Sequence, residues 1–149
     1  MKPRARNTIS KPKKLAVYTR DSFRCVYCCR QFSFQDIGSK YLTIDHVIPV
    51  AKDGTHNWNN IVTCCLDCNL RKGDDDLMFF LTRHDYDEDE VLNRLKSAFG
   101  KSYKEARRNA QSIIRLQKHL DRLQYEEASV RIQSRFQEVE PWRYSKCEF

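Results

Sequence analysis

The sequence predicts an α+β fold in which a small module of short strands and helices precedes a helical extension. Two Cys-x-x-Cys pairs, Cys25–Cys28 and Cys65–Cys68, bracket two segments rich in strand-forming residues, 41–44 and 61–63. Residues 102–137 contain neither Gly nor Pro, and their apolar side chains recur at steps of three and four, which is typical of a helix. The strands and cysteines therefore belong to one part of the chain, and the long helix to another.

Local signals define the elements of the module. Asp53-Gly54 is a turn signal, and Gly73 is a typical helix end. The predicted elements are, in chain order, a helix at residues 13–21, a tight turn at 25–30, a strand at 41–44, a loop at 52–60, a strand at 61–63 and a helix at 65–72. The predicted domain organisation is a flexible basic arm at 1–12, the module at 13–73 and a helical extension at 74–149.

The extension contains two shorter predicted helices before the long one. The first starts near Asp74 and runs through Leu81, and the second runs from Val91 to Phe99. Three roles stay open for residues 74–149: packing on the module, pairing with a second copy of the chain, or docking on DNA. We favour intramolecular packing, with homodimerisation through the C-terminal helices as an addition to it.

The positive net charge of the chain indicates a polyanionic partner. The net charge is +7, and residues 1–73 alone carry 13 basic and 5 acidic side chains. Charge of this kind does not separate DNA from RNA or from an anionic membrane surface. The arm at residues 1–12 fits a disordered tail and a DNA-contacting segment equally well. No apolar run suits a signal peptide or a membrane span, so we expect no membrane partner and a cytoplasmic location.

The cysteine pairs predict a structural zinc site. Each two-residue gap lets two sulfurs of one turn face the same centre, and two such turns complete a tetrahedral thiolate site from Cys25, Cys28, Cys65 and Cys68. Disulfides or free thiols are the alternative, but a reducing compartment favours metal. We expect Cys29 and Cys64 to be non-ligands with small buried side chains. No role is assigned to Cys147.

Four linked segments resemble the HNH (ββα-metal) endonuclease family, in the variant that has Asn at the third motif position. The matching segments are Arg20-Asp21 with Arg24-Cys25-Val26-Tyr27-Cys28, Ile44-Asp45-His46-Val47-Ile48-Pro49, Asp53-Gly54-Thr55-His56-Asn57-Trp58-Asn59-Asn60-Ile61-Val62 and Cys65-Leu66-Asp67-Cys68-Asn69-Leu70-Arg71-Lys72-Gly73. The resemblance covers roughly residues 13–73 and implies a small ββα-metal module with a pair of zinc knuckles.

Phosphodiester hydrolysis needs a base, a nucleophilic water and stabilisation of the departing oxygen. His46 suits the base, because imidazole titrates near neutral pH. Asp45 and Asn69 offer a carboxylate and an amide oxygen, which suit Mg²⁺ or Mn²⁺. The resemblance implies that Asn60 bonds across the loop to hold His46, and that the products carry 5′-phosphate and 3′-hydroxyl ends.

A further set of side chains is predicted to contact DNA. Arg71 and Lys72 follow Asn69 on the same helix, where cations can reach phosphates or simply complement the helix dipole. His56 is either a phosphate contact or, as we prefer, a packing or supporting residue. Lys13 and Lys14 complete the predicted DNA-binding set.

The predicted function is a metal-dependent DNA endonuclease. The alternative is a non-catalytic, zinc-stabilised module that binds nucleic acid. An RNA nuclease would use the same base, and the resemblance makes DNA the better substrate prediction.

Overall fold

The computed structural model describes the backbone of residues 8–137 and the side chains of residues 8–131. The first seven residues of the predicted basic arm, and Cys147, lie outside that range. The chain divides into two compact units, of which one ends at Gln111 and the other begins at Ser112.

The described residues form two strands and five α-helices, which confirms the predicted α+β class. The strands are β1 (Leu42–His46) and β2 (Ile61–Cys65). The helices are α1 (Lys11–Arg20), α2 (Leu66–Lys72), α3 (Leu77–Arg83), α4 (Glu88–Phe99) and α5 (Tyr103–Gln137).

The two strands pair antiparallel, with Leu42 opposite Cys65 and His46 opposite Ile61. Both strands continue two residues beyond their predicted ends, because the ladder hydrogen bonds persist beyond the segments that strand propensity alone marks. Asp45 and His46 consequently lie inside β1, and Cys65 ends β2 directly before α2. The sheet thus fixes the spacing between the second cysteine pair and the Asp-His pair.

Helices α3 and α4 share one core with the cysteine module. Phe80 and Leu81 of α3 and Val91 and Leu95 of α4 are buried in the same cluster as Tyr27. Helix α3 starts at residue 77, three residues later than predicted, with Asp76 as its N-cap. The core therefore includes the first part of the predicted extension, which a segment as poor in apolar residues as 13–73 needs for burial.

The burial of apolar side chains on helix α5 changes along its length. Ala106 and Ala110, in the first compact unit, are buried. In the second unit the helix exposes apolar side chains at Leu116, Leu120 and Leu123. Within residues 8–137, no helix combines the length and the apolar character needed to cross a membrane.

Candidate functional site

The two cysteine pairs come together as one cluster. The sulfurs of Cys25, Cys28, Cys65 and Cys68 all lie within 4.8 Å of one another. Cys28 Sγ and Cys65 Sγ are 3.7 Å apart. A tetrahedral site with Zn–S bonds of about 2.3 Å requires sulfur separations of about 3.8 Å. The cluster therefore fits a metal ion such as zinc, as the spacing predicts.

Local backbone geometry positions the first pair. An isolated bridge joins Arg24 to Gln31, so the chain reverses direction around the pair. Cys29 closes the turn in the left-handed region at φ 60° and donates its backbone N–H to Cys25 O. Cys29 is exposed, so its predicted burial is wrong: in this left-handed conformation the side chain faces solvent.

Cys64 is fully buried beside the cluster without belonging to the four-sulfur group. Its Sγ donates to Cys65 O at 3.2 Å, and burial raises the pKa of this thiol strongly. Cys64 is therefore a neutral, buried thiol whose proton is held by the backbone oxygen of a cluster residue.

Asp45 is buried and held at one oxygen by two donors. The Tyr27 hydroxyl donates to Asp45 Oδ2 at 2.6 Å, and Lys72 Nζ lies 3.2 Å from the same oxygen. Burial raises the pKa of Asp45, while the Lys72 ammonium and the Tyr27 hydrogen bond oppose the rise. Sequence reasoning missed Tyr27, although its place between Cys25 and Cys28 could have marked it.

Lys72 is buried and does not lie at the surface, where the predicted contact with a phosphate would form. Its side chain is fully buried, and Nζ donates to His46 O at 2.8 Å in addition to pairing with Asp45. The helix turns Lys72 toward β1, because it lies three residues after Asn69 on the same face. A buried ammonium with these partners is a structural counter-ion to Asp45.

His46 forms a pair with His56. His46 Nε2 lies 2.7 Å from His56 Nδ1, and Lys13 Nζ donates to the His56 backbone oxygen. Burial, followed by the positive charge of His56, lowers the pKa of His46. The lowered pKa favours the neutral imidazole, which is the form that accepts a proton.

Asn60 closes the loop that follows β1. Its Oδ1 accepts from Ile48 N at 2.8 Å, and its Nδ2 donates to Ile48 O at 3.1 Å and to Thr55 O at 2.8 Å. Its backbone oxygen accepts from Val47 N. The loop on the C-terminal side of His46 is thus tied to the residue preceding β2.

Asn69 lies against the same strand face as Asp45. Its Nδ2 donates to Thr43 Oγ1 at 2.9 Å and to Ile44 O at 3.4 Å. Thr43 and Asp45 are two residues apart on β1 and therefore point to one side. Asn69 thus contacts the side of β1 that carries Asp45. A carboxylate and an amide oxygen are ligand types that suit a hard cation.

The remaining predicted contacts are at the surface or close to it. Lys14 and Arg71 are exposed, and Lys13 is half-buried beside His56. Arg20 is buried and makes structural contacts only to protein groups here: it pairs with Asp21 at 2.6 Å and donates to Ile61 O at 2.8 Å. Arg20 therefore anchors the end of α1 to the start of β2.

Two comparisons with known proteins bear on this arrangement. Residues 25–75 match the model of the HNH endonuclease family, a segment that includes the cysteine cluster, both strands and α2. The chain is also 38% identical over 85 residues to the Septu protein PtuB of Bacillus thuringiensis, covering 54% of this chain and 27% of that relative. The chain thus spans about a quarter of the length of this relative.

The matched segment begins at the first cysteine of the site and ends three residues after α2. The module at residues 25–75 is therefore similar to the HNH endonuclease family.

Proposed function

We propose that this protein is a metal-dependent DNA endonuclease that hydrolyses phosphodiester bonds. Two observations support the proposal: the match of residues 25–75 to the HNH endonuclease family, and the position of Asp45 and His46 at the end of β1, the strand that Asn69 contacts. Zinc in the four-cysteine cluster has a structural role, and Mg²⁺ or Mn²⁺ is the catalytic cation.

His46 is the general base of the proposed reaction. His56 occupies the Nε2 side of the ring, so Nδ1 is the nitrogen that takes the proton from the attacking water. The water oxygen bonds to phosphorus as the bond from phosphorus to the 3′ oxygen breaks. The products are a 5′-phosphate and a 3′-hydroxyl, whose proton comes from solvent.

Asp45 and Asn69 would hold the catalytic cation. The Asp45 oxygen that neither Tyr27 nor Lys72 holds, Oδ1, and the Asn69 amide oxygen are the two donors. A cation held there would supply positive charge that stabilises the departing oxygen. Asn60 positions His46 by fixing the loop that leaves β1.

Lys13, Lys14 and Arg71 contact the DNA backbone in this proposal. Lys14 and Arg71 are exposed, and Lys13 lies beside His56, so cations flank the proposed base. Phosphate contacts of this kind fix the register of a nucleic acid without reading its sequence. His56 supports His46 and is placed where it can also approach a phosphate.

A non-catalytic, zinc-stabilised module that binds nucleic acid is the second candidate. The Lys72 ammonium already neutralises Asp45, and such an internal counter-ion also suits a carboxylate with a purely structural role. The two candidates share the cysteine cluster and the basic surface, but they differ in their need for His46.

Plasmid cleavage separates the two candidates. Zinc-loaded protein is incubated with supercoiled DNA and Mg²⁺ or Mn²⁺, and His46→Ala is compared with His119→Ala, which changes an exposed histidine of α5. We expect cutting by the wild type and by His119→Ala, and a loss of at least about 100-fold in His46→Ala. The ends are mapped by labelling before and after phosphatase treatment.

Failure of the wild type to cut any DNA substrate, together with retained DNA binding, would favour the non-catalytic module. Equal cutting by His46→Ala would remove the base from the mechanism. A parallel arm with single-stranded and double-stranded RNA decides whether the substrate is DNA or RNA. Cutting of RNA alone would replace DNA as the proposed substrate.

We further propose that α5 mediates self-association. Leu116, Leu120 and Leu123 are exposed at steps of four and three, which forms one apolar stripe along the helix. A helix that exposes such a stripe gains stability by burying it against another helix. A homodimer would present two active sites, as cleavage of both strands requires.

A further inference from the structure

Tyr27 connects the two parts of the site that the sequence presents as separate. It lies within the first cysteine pair, two residues after Cys25 and one before Cys28, and its hydroxyl reaches Asp45 Oδ2 at 2.6 Å. Its side chain is 1% exposed. One residue therefore belongs to the metal-binding turn through its backbone and to the Asp45 site through its hydroxyl.

The backbone at Val26 and Tyr27 is held by hydrogen bonds to other parts of the fold. Val26 N donates to Thr63 O at 3.0 Å, which ties the turn to β2. Arg94 Nη2 donates to Tyr27 O at 2.9 Å, and the Tyr27 ring meets the Phe80 ring edge to face at 5.2 Å. The position of the hydroxyl is thus set by the cysteine turn and by helices α3 and α4.

Two donors on one oxygen fix the rotation of the Asp45 carboxylate. Tyr27 and Lys72 both approach Oδ2, so Oδ1 has a defined direction. A freely rotating carboxylate would have to lose that freedom when it bound a cation. Groups that orient a ligand in this way contribute to metal affinity without touching the metal.

We propose that Tyr27 is a positioning residue through which the ordered four-cysteine site orients Asp45 for the hard cation. The inference rests on the proposed role of Asp45 as a ligand, and it adds that the structural metal sets the affinity of the catalytic one. Loss of metal from the cysteine cluster would release the turn that carries Tyr27. Without that turn, Asp45 would lose the hydroxyl that orients it for the cation.

The hydroxyl is suited to this task because it stays a donor. A phenol ordinarily keeps its proton throughout the neutral range, and the Tyr27 hydroxyl donates that proton to Asp45 Oδ2. A phenylalanine at this position would keep the ring contact with Phe80 and remove the donor alone. The substitution Tyr27→Phe therefore isolates the proposed effect.

The experiment measures Mn²⁺ binding by electron paramagnetic resonance in the full, zinc-loaded chain carrying His46→Ala, which cannot complete the proposed reaction. Tyr27→Phe is compared with Tyr18→Phe, which removes a hydroxyl from a buried tyrosine of the same core that does not contact Asp45. We expect Mn²⁺ affinity to fall roughly 10-fold or more in Tyr27→Phe. Tyr18→Phe should match the parent, and zinc content should be equal in all three.

Unchanged Mn²⁺ affinity in Tyr27→Phe would overturn the inference, and so would Mn²⁺ binding that Asp45→Asn leaves unaltered. Weakened Mn²⁺ binding in Tyr27→Phe, combined with a wild type that cuts no nucleic acid, would support the inference while the proposed function fails. The two proposals are therefore tested independently.

A measurement on the unmutated tyrosine covers the case in which Tyr27→Phe loses its zinc. With ¹³C-labelled tyrosine, saturating Mg²⁺ should shift the Cζ resonance of Tyr27 and leave that of Tyr125, which is exposed on α5, in place. A Tyr27 resonance that does not respond to Mg²⁺ would overturn the inference.

Discussion

Single residues decide how the site holds charge, and Lys72 shows this most clearly. Its ammonium is fully buried against Asp45 and the His46 backbone oxygen. Burying two opposite charges is tolerated because each offsets the desolvation of the other, whereas removing one leaves the other uncompensated. Lys72 therefore matters first for folding, and its effect on catalysis follows from its hold on Asp45.

Replacing Lys72 by Met is expected to destabilise the fold by about 3–5 kcal/mol, because Asp45 would lose its counter-ion in a buried setting. Urea unfolding followed by circular dichroism measures the change. Arg71→Met, next to it on the exposed side of α2, is the matched control and should lie within about 0.5 kcal/mol of wild type. Equal stability of the two variants would show that the ion pair contributes nothing net.

The pH dependence of cleavage should report the pairing of His46 with His56. Burial and then the charge of His56 lower the pKa of His46, so activity should persist to a pH below the ordinary imidazole value of about 6.5. In His56→Gln one of the three influences that lower the pKa of His46 is gone, the others being burial and the charge of Lys72, so the acid limb of the rate profile should move to higher pH. A limb that stays in place, or moves down, contradicts the pairing as a cause.

At the scale of elements, the strand pair and the loop between its strands form the frame of the site. The loop turns back so tightly that Gly54 N bonds to Pro49 O. A Cβ atom at Gly54 would collide with the backbone oxygen of Ile48, which is also an acceptor for Asn60 Nδ2. The absence of a side chain at Gly54 therefore permits the Asn60 contacts that tie the loop.

Gly54→Ala is expected to lower the rate of cleavage at least about 10-fold, because Ile48 must move and the Asn60 hydrogen bonds must change with it. Steady-state kinetics should show the loss mainly in kcat. Gly100→Ala is the matched control, because Gly100 has an ordinary φ of −73° and a Cβ atom there would come no closer than 3.4 Å to another atom. A Gly54→Ala variant as active as wild type would show that the loop does not position His46.

The apolar stripe of α5 yields a separate prediction. Leu120→Glu, in the middle of the stripe, should reduce self-association by at least about 10-fold in the dissociation constant. Sedimentation equilibrium measures this change, with Lys118→Glu as a control that alters charge on the same helix. A wild type that is monomeric at high micromolar concentration would contradict the proposed role of α5.

The sequence predicted what depends on spacing and periodicity, and it missed what depends on tertiary burial. Cysteine spacing is local and led directly to the four-sulfur cluster. The side on which Lys72 lies depends on how α2 packs against β1, and neither composition nor a basic run contains that information. The exposure of Cys29 depends on a left-handed turn that a non-glycine residue rarely adopts, so sequence alone favoured burial.

At the scale of the whole molecule, one core joins the cysteine module to helices α3 and α4. Phe80 and Leu81 pack with Tyr27 and Val62, so the module does not bury its apolar surface alone. The metal site and this core support each other, because the same turn that holds Cys25 and Cys28 contributes Val26 and Tyr27 to the core. A small core with few apolar residues depends strongly on such a metal site.

Removing the structural metal should unfold the core cooperatively. We expect a chelator strong enough to extract zinc to lower the melting temperature by at least about 10 °C and to expose tryptophan and tyrosine in one transition. Adding back Zn²⁺ should restore the transition, whereas Mg²⁺ should not. A metal-free protein with an unchanged melting temperature would show that hydrophobic packing suffices.

The pairing of Lys72 with Asp45 also bears on how fast the proposed catalytic cation could bind. The carboxylate has a counter-ion from the protein itself, so its surroundings are complete before that cation arrives. An incoming ion then meets a carboxylate that is already aimed, and its own dehydration, rather than a rearrangement of the chain, sets the pace of loading. The folded protein would then bind its catalytic cation at the rate at which that ion loses its water ligands.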